Sequence, residues 1–131
     1  MNNSIGFRFV SVGAFIALLG VAFGAFGAHG LKSILSEHML EVFHTGVRYQ
    51  MYHAFGLIVA GGALAVYELS HFRWATWSFL TGIVLFSGSL FVMSLTGVRW
   101  LGAITPLGGL FFILGWLFLT IGFWKVAQRT S

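Results

Sequence analysis

Histidine, tyrosine and hydroxyl side chains are the residues of this sequence with the chemistry to bind a ligand. Tyr49 and His53 lie four residues apart, so they share one face if the segment is helical. Gly56 and Ala60 continue that face, and small residues mark the surfaces where membrane helices approach each other. The spacing therefore predicts that the side chains of Tyr49 and His53 point into a helix interface.

A wider set of polar residues is expected near the same end of the molecule. A polar group in hydrocarbon requires a partner, so these residues either line a ligand pocket or bond to neighbouring helices. The candidate ligand-binding residues are His29, Tyr49, Gln50, His53, Ser87, Ser89 and Thr105. Both interpretations stay open at this point: a half-buried polar pocket near one membrane face, and hydrogen bonds that join the helices.

The sequence gives little support for catalytic or metal chemistry. Glu41 and His44 have the spacing of ligands in di-iron bundles, but such sites need several inward carboxylates and the chain has three acidic residues. A haem held by two histidines would need paired histidines in mid-span, which the sequence lacks. We therefore predict no catalytic residue, no metal ligand and no cofactor, and a histidine-based haem or metal enzyme is the weakest alternative.

The candidate residues must be positioned by membrane helices, because the composition excludes a soluble domain. Of 131 residues, 58% are hydrophobic and only 8% are charged, whereas soluble domains carry about 25% charged residues. A helix needs about 20 apolar residues to cross the hydrocarbon, and four stretches provide them: about 9–28, 49–67, 74–95 and 101–124.

The connection between the first two spans has its own helical pattern. Over about 33–47, apolar residues form one stripe and charged residues line another face, which is typical of an amphipathic helix at the membrane interface. The predicted fold class is all-α integral membrane. It is a single domain (1–131), a four-transmembrane-helix bundle with an amphipathic interfacial helix between spans 1 and 2.

Small residues recur along the spans at helical spacing. In lipid, helices gain little by burying apolar side chains against each other, so close backbone approach through small residues holds them together. We expect two such stripes to face neighbouring helices, one in the first span and one in the fourth: Gly13, Ala17, Gly20, Gly24 and Ala28, and Gly108, Gly115 and Gly122.

Basic residues predict the orientation and exclude one class of partner. Four lie on the side of the termini and three on the other: Arg8, Arg73, Lys125 and Arg129 against Lys32, Arg48 and Arg99. The positive-inside rule then places both termini in the cytoplasm. Because these residues are scattered singly, they form no patch for nucleic acid. The expected partners are the lipid bilayer, and a partner protein or further copies of the chain in a homo-oligomer.

Four motifs occur along the chain: Gly24-Ala25-Phe26-Gly27-Ala28-His29-Gly30-Leu31, Thr45-Gly46-Val47-Arg48-Tyr49-Gln50-Met51-Tyr52-His53, Phe86-Ser87-Gly88-Ser89-Leu90-Phe91 and Thr105-Pro106-Leu107-Gly108-Gly109. With Gly115-Trp116, they resemble the signatures of the YgdD-like family of small bacterial inner-membrane proteins, in the same order and over almost the whole chain. The resemblance implies four spans, a bacterial inner (plasma) membrane location and no assigned activity. Its signatures fall on the candidate residues named above.

These observations favour a multi-pass membrane protein without enzymatic activity. We expect it to bind a partner protein, a lipid or a small hydrophobic ligand at the polar site near one membrane face. The alternative is an oligomeric unit through which a small solute or an ion permeates. Transport of protons or ions usually relies on buried acidic groups, and none of the three glutamates lies within a predicted span.

Overall fold

The computed structural model describes residues 3–131, and these are helical almost throughout. The helices are α1 (Ser4–His29), α2 (Glu37–Tyr67), α3 (Ser70–Gly82), α4 (Gly88–Thr96) and α5 (Thr105–Thr130). A π-helical turn (Ile83–Ser87) joins α3 to α4, and a 3₁₀ turn (Arg99–Ala103) precedes α5. Four stretches are long and apolar enough to cross a membrane: Ser4–His29, Glu37–Tyr67, Ser70–Thr96 and Arg99–Thr130. The prediction of an all-helical protein with four membrane spans is confirmed.

Local sequence signals set the ends of these helices. Ser36 caps the start of α2, where its Oγ accepts a hydrogen bond from the amide of Met39 at 3.2 Å. Gly97 ends α4 in the left-handed conformation, which glycine adopts without strain. Pro106 lies in the first turn of α5, where a missing amide hydrogen costs no helical bond. The connections between the spans are therefore short and defined.

The α2 helix is central, and α1 packs along one side of it. Four glycines of α1 at steps of seven residues form the contact: Gly6, Gly13, Gly20 and Gly27. Two helical turns separate successive members, so all four face the same way. A Cβ atom on Gly6 would lie 2.6 Å from the carbonyl oxygen of Gly61, which shows how closely the two backbones approach. Of the predicted stripe, Gly13 and Gly20 are buried in this contact, whereas Ala17, Gly24 and Ala28 are not buried.

A second set of glycines joins α5 to the third span. The predicted residues Gly108, Gly115 and Gly122 are all buried, again at steps of seven. Phenylalanine side chains of the third span cover them: a Cβ on Gly115 would lie 2.6 Å from the Phe79 ring. The core of the molecule lies between α2, α3 and α5, around Leu57 and Phe79, whereas α1 and α5 keep most of their surface for lipid.

The predicted amphipathic segment (33–47) belongs to the second span and is not a helix of its own. It becomes helical at Glu37 and continues without interruption to Tyr67. Gly46, which could interrupt a helix, is held by a hydrogen bond from Ser87 Oγ to its carbonyl oxygen at 2.7 Å. The 31 residues of α2 extend about 46 Å, or about 16 Å more than the hydrocarbon core. The N-terminal part of α2 thus projects beyond the core, opposite the chain termini.

Candidate functional site

A cavity of about 550 Å³ lies between α2 and α5, beside the π-helical turn. We call it the α2–α5 cleft. Its wall consists of Tyr49, His53, Phe86, Pro106, Gly109, Leu110, Phe112, Ile113 and Trp116. The side chains of Leu110 and Ile113 are more than half exposed, and they lie on the outer, lipid-facing surface of α5. The cleft therefore opens sideways into the membrane.

His53 provides the polar atoms at the back of the α2–α5 cleft. Only 5% of the residue is exposed, and its ring stacks on that of Phe112 with centroids 3.5 Å apart and planes 5° apart. The Phe79 and Trp116 rings lie 5.8 Å away, at steeper angles. The imidazole is thus surrounded by aromatic carbon.

The hydrogen bond of His53 determines which of its nitrogens carries the hydrogen. Nδ1 lies 2.7 Å from the carbonyl oxygen of Tyr49. A carbonyl oxygen only accepts hydrogen bonds, so Nδ1 is the donor, and in the neutral ring Nε2 is left with an acceptor lone pair. Within residues 3–131 no group donates to Nε2, and Nε2 is not one of the buried side-chain atoms that are fully enclosed without a partner. His53 therefore presents a hydrogen-bond acceptor to the α2–α5 cleft.

Tyr49 lies at one end of the α2–α5 cleft, which we call the mouth, as distinct from the side opening at Leu110 and Ile113. It is 38% exposed, and its ring packs on Phe86 with a centroid distance of 4.5 Å. His53 is one helical turn further along α2, with the two rings nearly parallel at 6.0 Å. Tyrosine at such a position has its ring in hydrocarbon and its hydroxyl near the headgroups. The mouth thus lies at one membrane interface, and His53 lies about 6 Å deeper.

The π-helical turn shapes the side of the α2–α5 cleft. It places Phe86 against Tyr49 and turns the neighbouring Ser87 toward α2, where Ser87 is 1% exposed. The Ser87 hydroxyl donates to the carbonyl oxygen of Gly46. Single π turns within α-helices are rare and often occur at functional sites. Ser87 itself does not line the cleft, but its hydrogen bond holds the wall in place.

Ser89 and Thr105 form a second interhelical contact next to the cleft. Their hydroxyl oxygens lie 2.7 Å apart, and Ser89 Oγ also donates to the carbonyl oxygen of Phe86 at 2.9 Å. The pair joins α4 to the start of α5, immediately before Pro106 at the cleft wall. The two residues position the wall and do not line it.

Gln50 faces α1 and is rotated by about 100° around α2 from Tyr49. Its side chain is buried against α1, where Nε2 donates to the carbonyl oxygen of Ile16 at 2.9 Å. Its Oε1 atom is buried without a hydrogen-bond partner in the described part of the chain. The structure therefore brings Gln50 to the α1–α2 interface and not to the α2–α5 cleft.

His29 is also separate from the cleft. It is the last residue of α1 and is exposed. Gly27 packs against Phe43 and His44, so His29 lies beside the first turns of α2. His53 follows His44 by nine residues, or about 14 Å along the helix. The described residues contain no group of three or more histidine and acidic side chains placed to hold a metal ion.

Sequence reasoning from polar residues missed most of the cleft wall, which is apolar and comes from α5. Gly109, Phe112 and Trp116 lie at helical steps of three and four residues and face the same side. That periodicity is the signal that could have found them. A helix that only faces lipid has nearly the same pattern. The sequence of α5 alone therefore does not distinguish a cleft wall from a lipid-facing surface, and the position of His53 on the neighbouring α2 is needed.

Comparison with known proteins places this fold in a family. Residues 23–109 match a family described as "Protein of unknown function (DUF423)". The UPF0382 membrane protein YwdK of Bacillus subtilis is 49% identical over 114 residues, which cover 86% of this chain and 93% of that protein. The UPF0382 membrane protein SH2409 of Staphylococcus haemolyticus is 47% identical over 117 residues, covering 89% of this chain and 95% of that protein. No solved structure matches the chain.

The family match covers more than half of the chain, and the two relatives are similar over nearly their whole length. The relatives are named membrane proteins, in agreement with the four apolar helices. The chain therefore belongs to the DUF423 family, the UPF0382 membrane proteins, whose function is unknown.

Proposed function

We propose that this protein binds one lipid-like apolar molecule in the α2–α5 cleft and does so without catalysis. The observation that carries the proposal is an acceptor nitrogen without a donor among residues 3–131, His53 Nε2, within a wall of mostly aromatic and aliphatic side chains. Small-molecule sites typically have this composition: a mostly apolar pocket of about 300–1,000 Å³ with a few polar atoms that orient the ligand. The cavity of about 550 Å³ falls within this range.

The length and the opening of the cleft support a ligand from the bilayer. The wall on α5 extends from Pro106 to Trp116, which is about 15 Å along the helix and half the thickness of the hydrocarbon core. The cleft therefore matches the depth of one leaflet. Since its opening faces lipid at Leu110 and Ile113, a molecule already in the membrane can enter sideways.

The surroundings of His53 argue against catalysis at this site. A general base needs a reacting group within hydrogen-bond reach and a neighbour that orients it. The neighbours of the His53 ring are the rings of Tyr49, Phe79, Phe112 and Trp116. No carboxylate, serine or threonine is among the residues that line the α2–α5 cleft. Binding accounts for this arrangement without further groups.

A side chain added within the cleft tests the proposal. Gly109 lines the cleft, and a Cβ on it would come no closer than 3.9 Å to Phe86, so Gly109→Leu is expected to fold and to fill the space. Gly62 is the matched control, because a Cβ there meets nothing within 4 Å and the residue lies outside the cleft. Native mass spectrometry of protein extracted from membranes should show a retained small molecule with the original chain and with Gly62→Leu, and its loss with Gly109→Leu.

Two results would contradict the proposal. One is equal retention of the molecule by Gly109→Leu and by the original chain. The other is that the original chain retains no molecule and also fails to bind added farnesol, a small isoprenoid alcohol that fits a cavity of this volume.

We infer further that the family is the YgdD-like one and that the protein resides in the bacterial inner membrane with both termini in the cytoplasm. All four motifs of the resemblance lie between residues 24 and 109, within or at the edge of the matched segment 23–109. The relatives named above are bacterial. With this orientation the α2–α5 cleft opens into the outer leaflet. We also propose that the chain binds a partner protein or forms a homo-oligomer, through surfaces other than the cleft.

A further inference from the structure

The polar atom of the α2–α5 cleft restricts the chemistry of its occupant. We infer that the ligand carries a hydroxyl group and donates its hydrogen to His53 Nε2, an inference that rests on the proposed function. Hydroxyl-bearing lipids and their ethers or carbonyl analogues are nearly identical in shape and in apolar surface. The cleft would distinguish them by hydrogen bonding alone.

The tautomer of His53 is the first step of the argument. The distance of 2.7 Å from Nδ1 to the Tyr49 carbonyl fixes the hydrogen on Nδ1. The stack on Phe112, with centroids 3.5 Å apart, holds the plane of the ring. Within that plane, a ring turned by half a rotation would place Cδ2 instead of Nδ1 opposite the Tyr49 carbonyl and would lose the hydrogen bond. Nε2 is therefore a fixed acceptor. A ligand that offers only acceptor atoms, such as an ether or a ketone, would place two lone pairs opposite each other.

The second step concerns the cost of leaving Nε2 unpaired. In water a missing partner is replaced by solvent, but hydrocarbon provides no donor. His53 lies about 6 Å below the mouth of the cleft. The other polar side-chain atoms of the wall are the Tyr49 hydroxyl at the mouth and the indole nitrogen of Trp116, and the rest of the wall is carbon. No donor from residues 3–131 reaches Nε2. The ligand hydroxyl is thus the group that would satisfy it.

The shared chemistry is a hydroxyl on an apolar body, which can come from an isoprenoid alcohol or from a phenol. The rings of Tyr49, Phe86 and Trp116 line the cleft, and aromatic faces accept both an unsaturated chain and a phenol ring. Two matched pairs separate these sources: farnesol with farnesyl methyl ether, and 4-decylphenol with 4-decylanisole. Each pair differs only in whether the oxygen can donate.

The experiment compares dissociation constants of the four probes for the detergent-solubilised protein. For at least one pair, the hydroxyl compound should bind about fivefold more tightly than its ether, the factor expected for one net neutral hydrogen bond. The pair with the larger ratio identifies the source of the hydroxyl. His53→Phe keeps a ring to stack on Phe112 and removes Nε2, so in this variant the ratio should fall to about one while the ether still binds. Different partitioning of alcohol and ether into detergent cancels in this comparison.

The outcomes separate the two proposals. Equal binding of alcohol and ether by the original chain overturns the hydroxyl inference and leaves apolar binding intact. An unchanged preference in His53→Phe also overturns it, because another atom would then be the acceptor. If the original chain retains no molecule and binds none of the four probes, or if Gly109→Leu binds them as well as the original chain does, the proposed function itself fails. If His53→Phe does not fold, the ratio of alcohol to ether binding in the original chain, corrected for the partitioning of each probe into detergent without protein, decides the inference.

Discussion

Hydroxyl groups in this protein serve two structural roles that look the same in the sequence. Ser87 and Ser94 are both buried serines of the third span, and both donate to a backbone carbonyl. The Ser87 hydroxyl reaches across to Gly46 on α2, whereas the Ser94 hydroxyl bonds to Phe91 within its own helix. Only the first can hold two helices together, and the two residues therefore form a natural pair for comparison.

Replacement of these two serines should have unequal effects on stability. Ser87→Ala is expected to lower the free energy of unfolding by roughly 0.5–1.5 kcal/mol, since one interhelical hydrogen bond is lost and the Gly46 carbonyl keeps its helical partner. Ser94→Ala should change it by less than about 0.5 kcal/mol, because a bond within one turn adds little. Titration of the purified protein with a denaturing detergent measures both values. Equal losses would show that the contact of Ser87 with α2 contributes nothing specific.

At the scale of helices, contact between α1 and α2 depends on the absence of side chains. Gly61 and Gly62 are neighbours in α2 but differ in their surroundings. A Cβ on Gly61 would lie 2.8 Å from the carbonyl oxygen of Gly6 and 2.9 Å from the amide of Val10. A Cβ on Gly62 would meet nothing within 4 Å. The backbones of α1 and α2 would have to separate to accommodate the first but not the second.

Alanine at these adjacent positions should therefore have opposite effects. Gly61→Ala is expected to lower the free energy of unfolding by about 1–3 kcal/mol, the usual range for overpacking. Gly62→Ala should be neutral or raise it by up to about 1 kcal/mol, because alanine favours helix more than glycine does. The same detergent titration gives both values. A similar loss in the two variants would mean that the helices do not approach as closely as the structure indicates.

The sequence predicts the helices more completely than it predicts the contacts between them. Four apolar stretches and scarce charge require four membrane helices, so the spans follow from composition and length alone. The continuity of α2 through 33–47 does not follow, because an amphipathic pattern is the same whether the helix lies on the membrane or continues into it. The structure resolves this through Gly46, which the third span fixes in a helical conformation.

The candidate site was predictable in part for a related reason. Tyr49 and His53 share a face by spacing, and the structure brings both to the α2–α5 cleft. Gln50 follows Tyr49 directly, so helical rotation carries it to the α1 side, although its residue type suits a pocket equally well. His29 is adjacent to α2 in the chain, but antiparallel packing places it about 14 Å from the level of His53. Residue type selects candidates, and helical phase and register decide which of them meet.

For the whole molecule, orientation in the membrane is the property with the most direct test. Four spans place both termini on one side, and four of the seven basic residues lie there. We expect alkaline phosphatase fused after Ser131 to be inactive in a bacterial host and a fluorescent protein at the same position to be bright. Alkaline phosphatase inserted between residues 31 and 36, in the connection of α1 to α2, should be active. The reverse pattern would place the α2–α5 cleft in the inner leaflet.

The π-helical turn has a consequence for how the third span tolerates changes in length. Each residue of an α-helix rotates the following side chains by about 100°, and a π turn contains one residue more than regular winding requires. If all the residues of Ile83–Ser87 were instead wound as a regular α-helix, the half of the span after the turn would rotate by about 100° against the half before it. Phe79, which covers Gly115, and Ser89, which bonds to Thr105, would then no longer face α5 together. The π turn thus absorbs the extra residue and lets two helical segments present matching sides to one neighbour.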